Sequence, residues 1–410
     1  MAARDTSPAS SYDDETDDLI GCNLEGYVFA HRLGSGNFAS CYLAYHLKSN
    51  QLVCVKKSKS KYYNEALVER YIMGKLQSAK SQWLPKMLEY FIEFDCLFIV
   101  MELFDNDISG LLESDLYSTG IPTDLARPIM YQILRAVQIL HNDYHLVHGD
   151  LKPSNIFLRN PAKIEALREQ FQAVASRLKG SNRERAATKC RQIMSQCGDD
   201  PDRLELHVCR HLFFGEPEVT NVIAPLQDPE VVVCDFNCAF VDTPVRKIKT
   251  IQPAYYRAPE VVLVRGHYGL PIDIWSLGCI LYEMMTGEPL FEDFADDSDD
   301  EDIKPKDHIK MIESTLGAIN KEMLSDCGRS FMLGEVNAKI ARVTQKKQRE
   351  LLQGMLVVDP TQRFTINQCL ESDWFDACRV KAPEYKPRAT AISYTDFDGE
   401  IVKNLRETRA

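Results

Sequence analysis

The sequence predicts an α+β protein in which a small β-rich lobe precedes a larger helical lobe. Three observations carry that expectation. From Tyr27 onward the chain runs through short segments rich in β-branched and aromatic residues, each ended by turn residues. After "ELFDND", residues 102–107, apolar residues recur instead at steps of three and four, as in "LARPIMYQILRAVQILHN". With 410 residues, 45% of them hydrophobic, the chain is long enough for one large or two medium domains with a sizeable core.

Taken in order, residues 1–26 are Ser-rich and acidic, with seven acids against Arg4, and read as a disordered tail. The runs "YVFAHRLG", "SCYLAYHL", "LVCVKK", "MLEYFIEF" and "CLFIVMEL" predict a mainly antiparallel sheet of about five strands, with one helix, "NEALVERYIM", inserted. The β-rich lobe spans 27–105 and the helical lobe 106–377. An insert at 159–230 interrupts the helical lobe. Its Ile164, Leu167, Phe171, Val174 and Leu178 predict an amphipathic helix that packs against another element, and its second part, after "CGDDPD", turns acidic. Residues 378–410 are polar without sustained periodicity and read as a C-terminal tail.

Composition excludes several classes. No apolar run approaches the length of a membrane span, and the first residues lack the charged-then-apolar pattern of a signal peptide. Residence inside the cell is expected, with neither membrane nor nucleic acid as a direct partner. Thirteen cysteines without C-x-x-C spacing argue against a disulfide framework and fit a reducing compartment. Cys234 and Cys238 read as small residues around a strand end, not as metal ligands, because no third ligand lies in sequence range. The net charge of −12 is local: residues 1–26 carry −6 and "EDFADDSDDED", residues 292–302, carries −8. Such a run is ordinarily a solvated loop, yet it would also attract and steer a polybasic ligand.

The first chemistry-bearing stretch is "LGSGNFAS", in which Leu33, Gly34, Ser35 and Gly36 open a hairpin between two predicted strands. Glycines there let the backbone approach phosphate oxygens that a side chain would obstruct, although a Gly-rich hairpin is by itself often only a turn. Lys56 follows on the next strand, between the apolar Val53 and Val55 on one side and the helix on the other. A buried, unpaired lysine costs several kcal/mol. Glu65 and Glu69 on the helix are the candidate counter-charges, and Glu69 is preferred because Leu67, Ile72 and Met73 surround it as a buried face.

Further along stand "HGDLKPSN" (His148–Asn155), "VVVCDFN" ending at Asn237, "YYRAPE" ending at Glu260, "DIWSLG" from Asp273, and "DPTQRFT" around Arg363. The ordered set across 27–377 resembles a eukaryotic protein kinase. The resemblance implies ATP and Mg²⁺. It assigns Asp150 to orient the substrate hydroxyl and Lys152 to neutralise the transferring phosphoryl group, and it gives metal binding to Asn155 and Asp235. It places Leu33, Gly34, Ser35, Gly36, Lys56, Glu69, Glu102 and Leu103 in the nucleotide site. Glu260 is expected to pair with Arg363, and Asp273 to brace the catalytic loop.

Within kinases, "YYRAPEVVL" is similar to the CMGC group. The stretch "DDLIGCNLEGYVFAHRLGSGNFASCYLAYHL", the position of the insert and "KDHIKMIESTLG" most resemble the SR-protein kinases. That resemblance implies a monomeric serine/threonine kinase of the cytoplasm and nucleus acting on basic, Arg/Ser-rich protein substrates recruited by acidic residues such as 292–302. An active dual-specificity Tyr-regulated or Cdc2-like kinase, and a pseudokinase scaffold, stay open beside it. Four letters depart from the kinase pattern. Ala39 replaces a third glycine, Asn237 replaces the last glycine of D-F-G, and Pro253 stands where a threonine is usual. Gly149 replaces the arginine whose ordinary role is to pair with an activation-loop phosphate, so loss of that regulatory coupling, not of chemistry, is expected.

Overall fold

The computed structural model describes residues 19, 23–178, 226–243, 250–263, 268–291, 305–316, 340, 343, 345–380 and 385–386. The acidic run 292–302, the second part of the insert and most of both predicted tails lie outside the described residues. The chain divides into two compact units, one drawn from 1–66, 88–103 and 164–219, the other from 67–87, 104–163 and 220–410.

The first unit is built on a six-stranded sheet of β1 (Asn23–Leu24), β2 (Tyr27–Ser35), β3 (Ala39–His46), β4 (Gln51–Ser58), β5 (Met87–Glu93) and β6 (Cys96–Glu102), in the order β1-β2-β3-β4-β6-β5. One strand more is present than the sequence predicts. β1 lies inside the stretch read as tail and pairs Leu24 with Tyr27 across a two-residue turn, Glu25–Gly26. Its turn is not the Asn-Gly or Asp-Gly that marks most such hairpins, which hides it from a sequence reading. Leu19 is buried beside it, in a core of Tyr27, Phe29, Tyr42, Ala44, Val53, Val55, Phe98 and Val100.

Strand alternation sends the remaining side chains to the other face. There Ala30, Leu43, Tyr45 and Leu52 form a second cluster. The insert begins as helix α4 (Pro161–Leu178), as its periodicity predicts, and Leu167 packs on this cluster together with Leu103.

The second unit holds most of α1 (Tyr63–Leu76), then α2 (Ile108–Leu112), α3 (Thr123–Gln138), β7 (Leu146–Val147), β8 (Ile156–Arg159), β9 (Glu230–Val233) and β10 (Phe240–Val241). After these come α5 (Pro259–Val262), α6 (Pro271–Thr286), α7 (Pro305–Leu316), α8 (Lys346–Met355), α9 (Ile366–Glu371) and α10 (Asp376–Arg379). α6 runs through the centre, with Ile274, Trp275, Leu277, Ile280, Leu281 and Tyr282 buried to within 1% exposure. β8 and β9 pair antiparallel from Ile156↔Val233 to Arg159↔Glu230, so the two ends of the insert are register partners. Chain that leaves at Arg159 returns at Glu230, and the residues before and after the insert meet.

Candidate active site

That pairing sets the chemistry-bearing residues of the second unit side by side. The loop His148–Asn155 joins β7 to β8, and Cys234, at the end of β9, donates its N–H to the Asn155 carbonyl at 2.9 Å. Asp235 follows directly. Asp273, in the first turn of α6 and fully buried, accepts from His148 N at 2.7 Å and Gly149 N at 3.0 Å, and its Oδ2 meets His141 Nε2 at 2.9 Å. His148 Nε2 lies 3.0 Å from the Cys234 carbonyl, and its ring packs near Phe236. A single buried carboxylate therefore clamps the loop backbone, as the sequence predicts for Asp273.

Inside the loop, Asn155 Nδ2 donates to the Asp150 carbonyl at 2.7 Å and to Asp150 Oδ2 at 2.9 Å. Lys152 Nζ stands 3.2 Å from the same Oδ2. Burial lifts the Asp150 carboxyl above the usual aspartate range, Lys152 opposes that shift, and the carboxylate of Asp235 reinforces it. An oriented carboxylate with a raised pKa and an ammonium beside it can orient a hydroxyl and stabilise a transferring phosphoryl group.

Gly149 has φ +75, and a Cβ on it would meet the Cys238 carbonyl oxygen at 2.8 Å. Glycine adopts this conformation without strain, which gives the missing arginine a backbone reason. Asn237, in the place of the last glycine of D-F-G, does not need that freedom. The left-handed residue of the motif is Asp235, with φ 70, and Asn237 is not among the positive-φ positions. Its Oδ1 is instead buried without a hydrogen-bond partner.

Among the described residues no group of three His, Cys, Asp or Glu side chains could cage a metal. The oxygen set on offer is the Asp235 carboxylate and the Asn155 amide, with Asn237 Oδ1 orphaned nearby. Hard oxygens in small number suit Mg²⁺, which keeps waters and shares substrate phosphates.

Farther along, Pro253 opens a 3₁₀ turn, Ala254–Tyr256, and offers neither hydroxyl nor N–H. The residue sequence reasoning missed is Gln252. Buried and with φ 66, it donates to the Ile272 carbonyl at 3.0 Å and to Ser276 Oγ at 2.8 Å, and accepts from Ala258 N at 3.0 Å. Arg257 Nε donates to its carbonyl at 3.0 Å, which secures the turn to itself and to α6. Only a polar residue with an unusual φ reveals this, and neither shows as a motif. The predicted pair of Glu260 and Arg363 is present, bidentate at 2.7 and 2.9 Å.

In the first unit, Lys56 is buried at 9% exposure. Register puts Gly34, Cys41, Lys56 and Ile99 in one row across β2, β3, β4 and β6. Gly34 and Gly36 have no positive φ, and a Cβ on either would meet nothing within 4 Å. Neither strain nor internal crowding demands these glycines, whereas a closely approaching ligand would. Ser35 Oγ lies 3.0 Å from Ser40 Oγ, which closes the hairpin, and Leu33 is exposed. Glu102 ends β6 opposite Val53. Of the two α1 acids, Glu69, in the second unit, is buried at 2% exposure, and Glu65, in the first unit, is half-buried.

A clamped loop presents a buried aspartate beside a lysine and an asparagine, with a second aspartate joined to it by strand pairing, an arrangement suited to phosphoryl transfer. The chain matches the protein kinase domain over residues 27–168 and 219–375, and it belongs to that family. The unmatched stretch falls within the insert. The chain is 25% identical to the DYRK-family kinase pom1 of Schizosaccharomyces pombe, over 94% of this chain and 31% of that protein. It is also 25% identical to mitogen-activated protein kinase mpkC of Aspergillus clavatus, over 93% of this chain and 82% of that one. Serine/threonine-protein kinase AFC3 of Arabidopsis thaliana is 23% identical, over 85% and 82%. The chain thus spans about a third of the length of pom1 and most of the other two. These relatives place it with the CMGC group, and the bilobal α+β fold is that of the family.

Proposed function

We propose that this chain is an active serine/threonine protein kinase that transfers the γ-phosphate of ATP to serine residues of basic, Arg/Ser-rich proteins. The observation that carries the chemistry is the Asp150 carboxylate held by both Asn155 and Lys152. Asp150 accepts the hydrogen bond of the substrate hydroxyl, and its raised pKa suits it to take the proton as the phosphoryl group departs. Lys152 neutralises charge on the transferring oxygens. Asn155 and Asp235 would hold Mg²⁺, which would offset the charge of the phosphates. In the family pattern, Lys56 holds the nucleotide phosphates, the backbone at Gly34 and Gly36 covers them, and Glu102 and Leu103 border the base.

The substrate class rests on the acidic run 292–302 and on the likeness of the insert position to SR-protein kinases. Action as a monomer in cytoplasm and nucleus belongs to the same proposal. A second reading, a dual-specificity Tyr-regulated type of substrate preference, draws on the likeness to a DYRK-family kinase. A peptide array phosphorylated with Mg-ATP separates the two: transfer confined to Arg/Ser-rich peptides supports the first, and transfer that ignores flanking arginines overturns it. No transfer to any peptide favours a pseudokinase, a reading to which Pro253 lends its one support.

A further inference from the structure

Beyond α10, among the described residues, Tyr385 packs on the second unit. Its hydroxyl donates to Asp143 Oδ1 at 2.5 Å, and its ring faces the Arg135 guanidinium at 5.4 Å. Arg135 also lies over the Trp83 ring at 5.2 Å, so one cation touches two aromatic rings. Asp143 and Arg135 are both more than nine-tenths buried. A seat that offers a guanidinium for an aromatic face and a buried carboxylate for a hydroxyl matches a phenol: phenylalanine would satisfy only the first contact.

The seat sits on a load path. Asp143 closes the π-helical turn Ile139–Asp143 that ends α3. Within that turn His141 bonds Asp273, which in turn holds the backbone of His148 and Gly149, immediately before Asp150. The next residue, Tyr144, bonds Ser78 Oγ at 2.7 Å. Asn142 Nδ2 also donates to Asn367 Oδ1 at 2.9 Å, so His141, Asn142 and Tyr144 still hold the turn when the Tyr385–Asp143 contact is removed.

We propose that Trp83, Arg135 and Asp143 form a binding site for a tyrosine-bearing segment, filled here by the chain's own tail, and that Tyr385 is a positioning residue for the catalytic loop. Only its effect on turnover rests on the kinase reading above. Hydrogen–deuterium exchange on the full chain tests it, with wild type, Tyr385→Phe and Tyr385→Ala compared. Removing a hydrogen bond to a charged group typically costs enough for about a tenfold change. Amides of 139–149 should exchange about tenfold faster in Tyr385→Phe, which loses that hydrogen bond, and faster still in Tyr385→Ala, which loses the ring contact as well, while β3 and β4 are unchanged. With Mg-ATP, kcat should fall severalfold and KM for ATP should stay constant. Unchanged exchange of 139–149 in Tyr385→Ala, or Tyr385→Phe indistinguishable from wild type, overturns the site. Faster exchange with wild-type kcat overturns the positioning role. A wild type that transfers no phosphate defeats the kinase reading and with it the positioning role, and the exchange result alone then decides the site.

Discussion

Asn155 reaches Asp150 twice with one amide nitrogen, 2.7 Å to the backbone carbonyl and 2.9 Å to Oδ2. Donation from Nδ2 turns the amide oxygen of Asn155 away from Asp150. In the proposed function a single residue would therefore fix the carboxylate that orients the substrate and offer an oxygen to Mg²⁺, so that the two orientations are coupled.

Replacing Asp150 with Asn keeps the shape of this contact and removes the charge. Proton transfer to a positioned group is worth about 10²–10⁴ in rate, so kcat should fall by that factor. Burial makes the ionised Asp150 unfavourable for the fold at neutral pH, so Asp150→Asn should not lower Tm. Asp235→Ala should abolish Mg²⁺-dependent transfer with Tm retained. Kinase assay and thermal melting on the same preparations check both.

Gly149→Ala should destabilise. The left-handed backbone costs a non-glycine residue about 1–2 kcal/mol, and the added Cβ meets Cys238 O at 2.8 Å. Chemical denaturation of wild type and variant measures the loss, and equal midpoints would contradict the strain argument. Gly149→Arg, which restores the usual kinase letter, should carry the same penalty.

Much of this site was legible because kinase motifs are local. Asp150, Lys152 and Asn155 sit within six residues, and Glu69 over Glu65 follows from which helix face is apolar. The joining of Asn155 to Cys234 was not legible in geometry, since strand pairing across the insert depends on a register that neither β8 nor β9 specifies alone. Gln252 escaped because its role comes from a positive φ and three partners distant in sequence. Tyr385 escaped because a single tyrosine contact in a polar stretch without periodicity leaves no pattern in the sequence. β1 escaped because two residues are too short to show alternation.

Glu283 makes stability depend on pH. Burial raises its carboxyl from 4.5 to about 6, against the opposing hydrogen bond from Tyr256, whose hydroxyl lies 2.7 Å away. With the folded pKa above the unfolded one, the favourable contribution is full below about pH 4.5 and is lost as pH rises through about 6. Glu283→Gln keeps an acceptor for Tyr256 and removes the charge. It should therefore stabilise by about 1–2 kcal/mol at pH 7.5 and by nearly nothing near pH 4. Denaturation at the two pH values gives the comparison.

Neutralising the Asp and Glu residues of 292–302 to Asn and Gln should raise KM for Arg/Ser-rich peptides at low ionic strength, with kcat and ATP affinity unchanged. Charges separated by more than about 8 Å are largely screened at physiological salt, so the effect should shrink as salt is added. A neutral peptide is the control. Equal KM values at low salt would return the run to an ordinary solvated loop.

The central claim is that the chemistry persists without the arginine of the catalytic loop. Its most direct measurement is the initial rate of γ-phosphate transfer from Mg-ATP by phosphatase-treated full-length chain, beside the untreated protein and the Asp150→Asn variant. Equal turnover in the first two, lost in the third, is the predicted result. Protein that stays inert until Thr243, Thr250 or Tyr255 is phosphorylated, or turnover that survives Asp150→Asn, would contradict it.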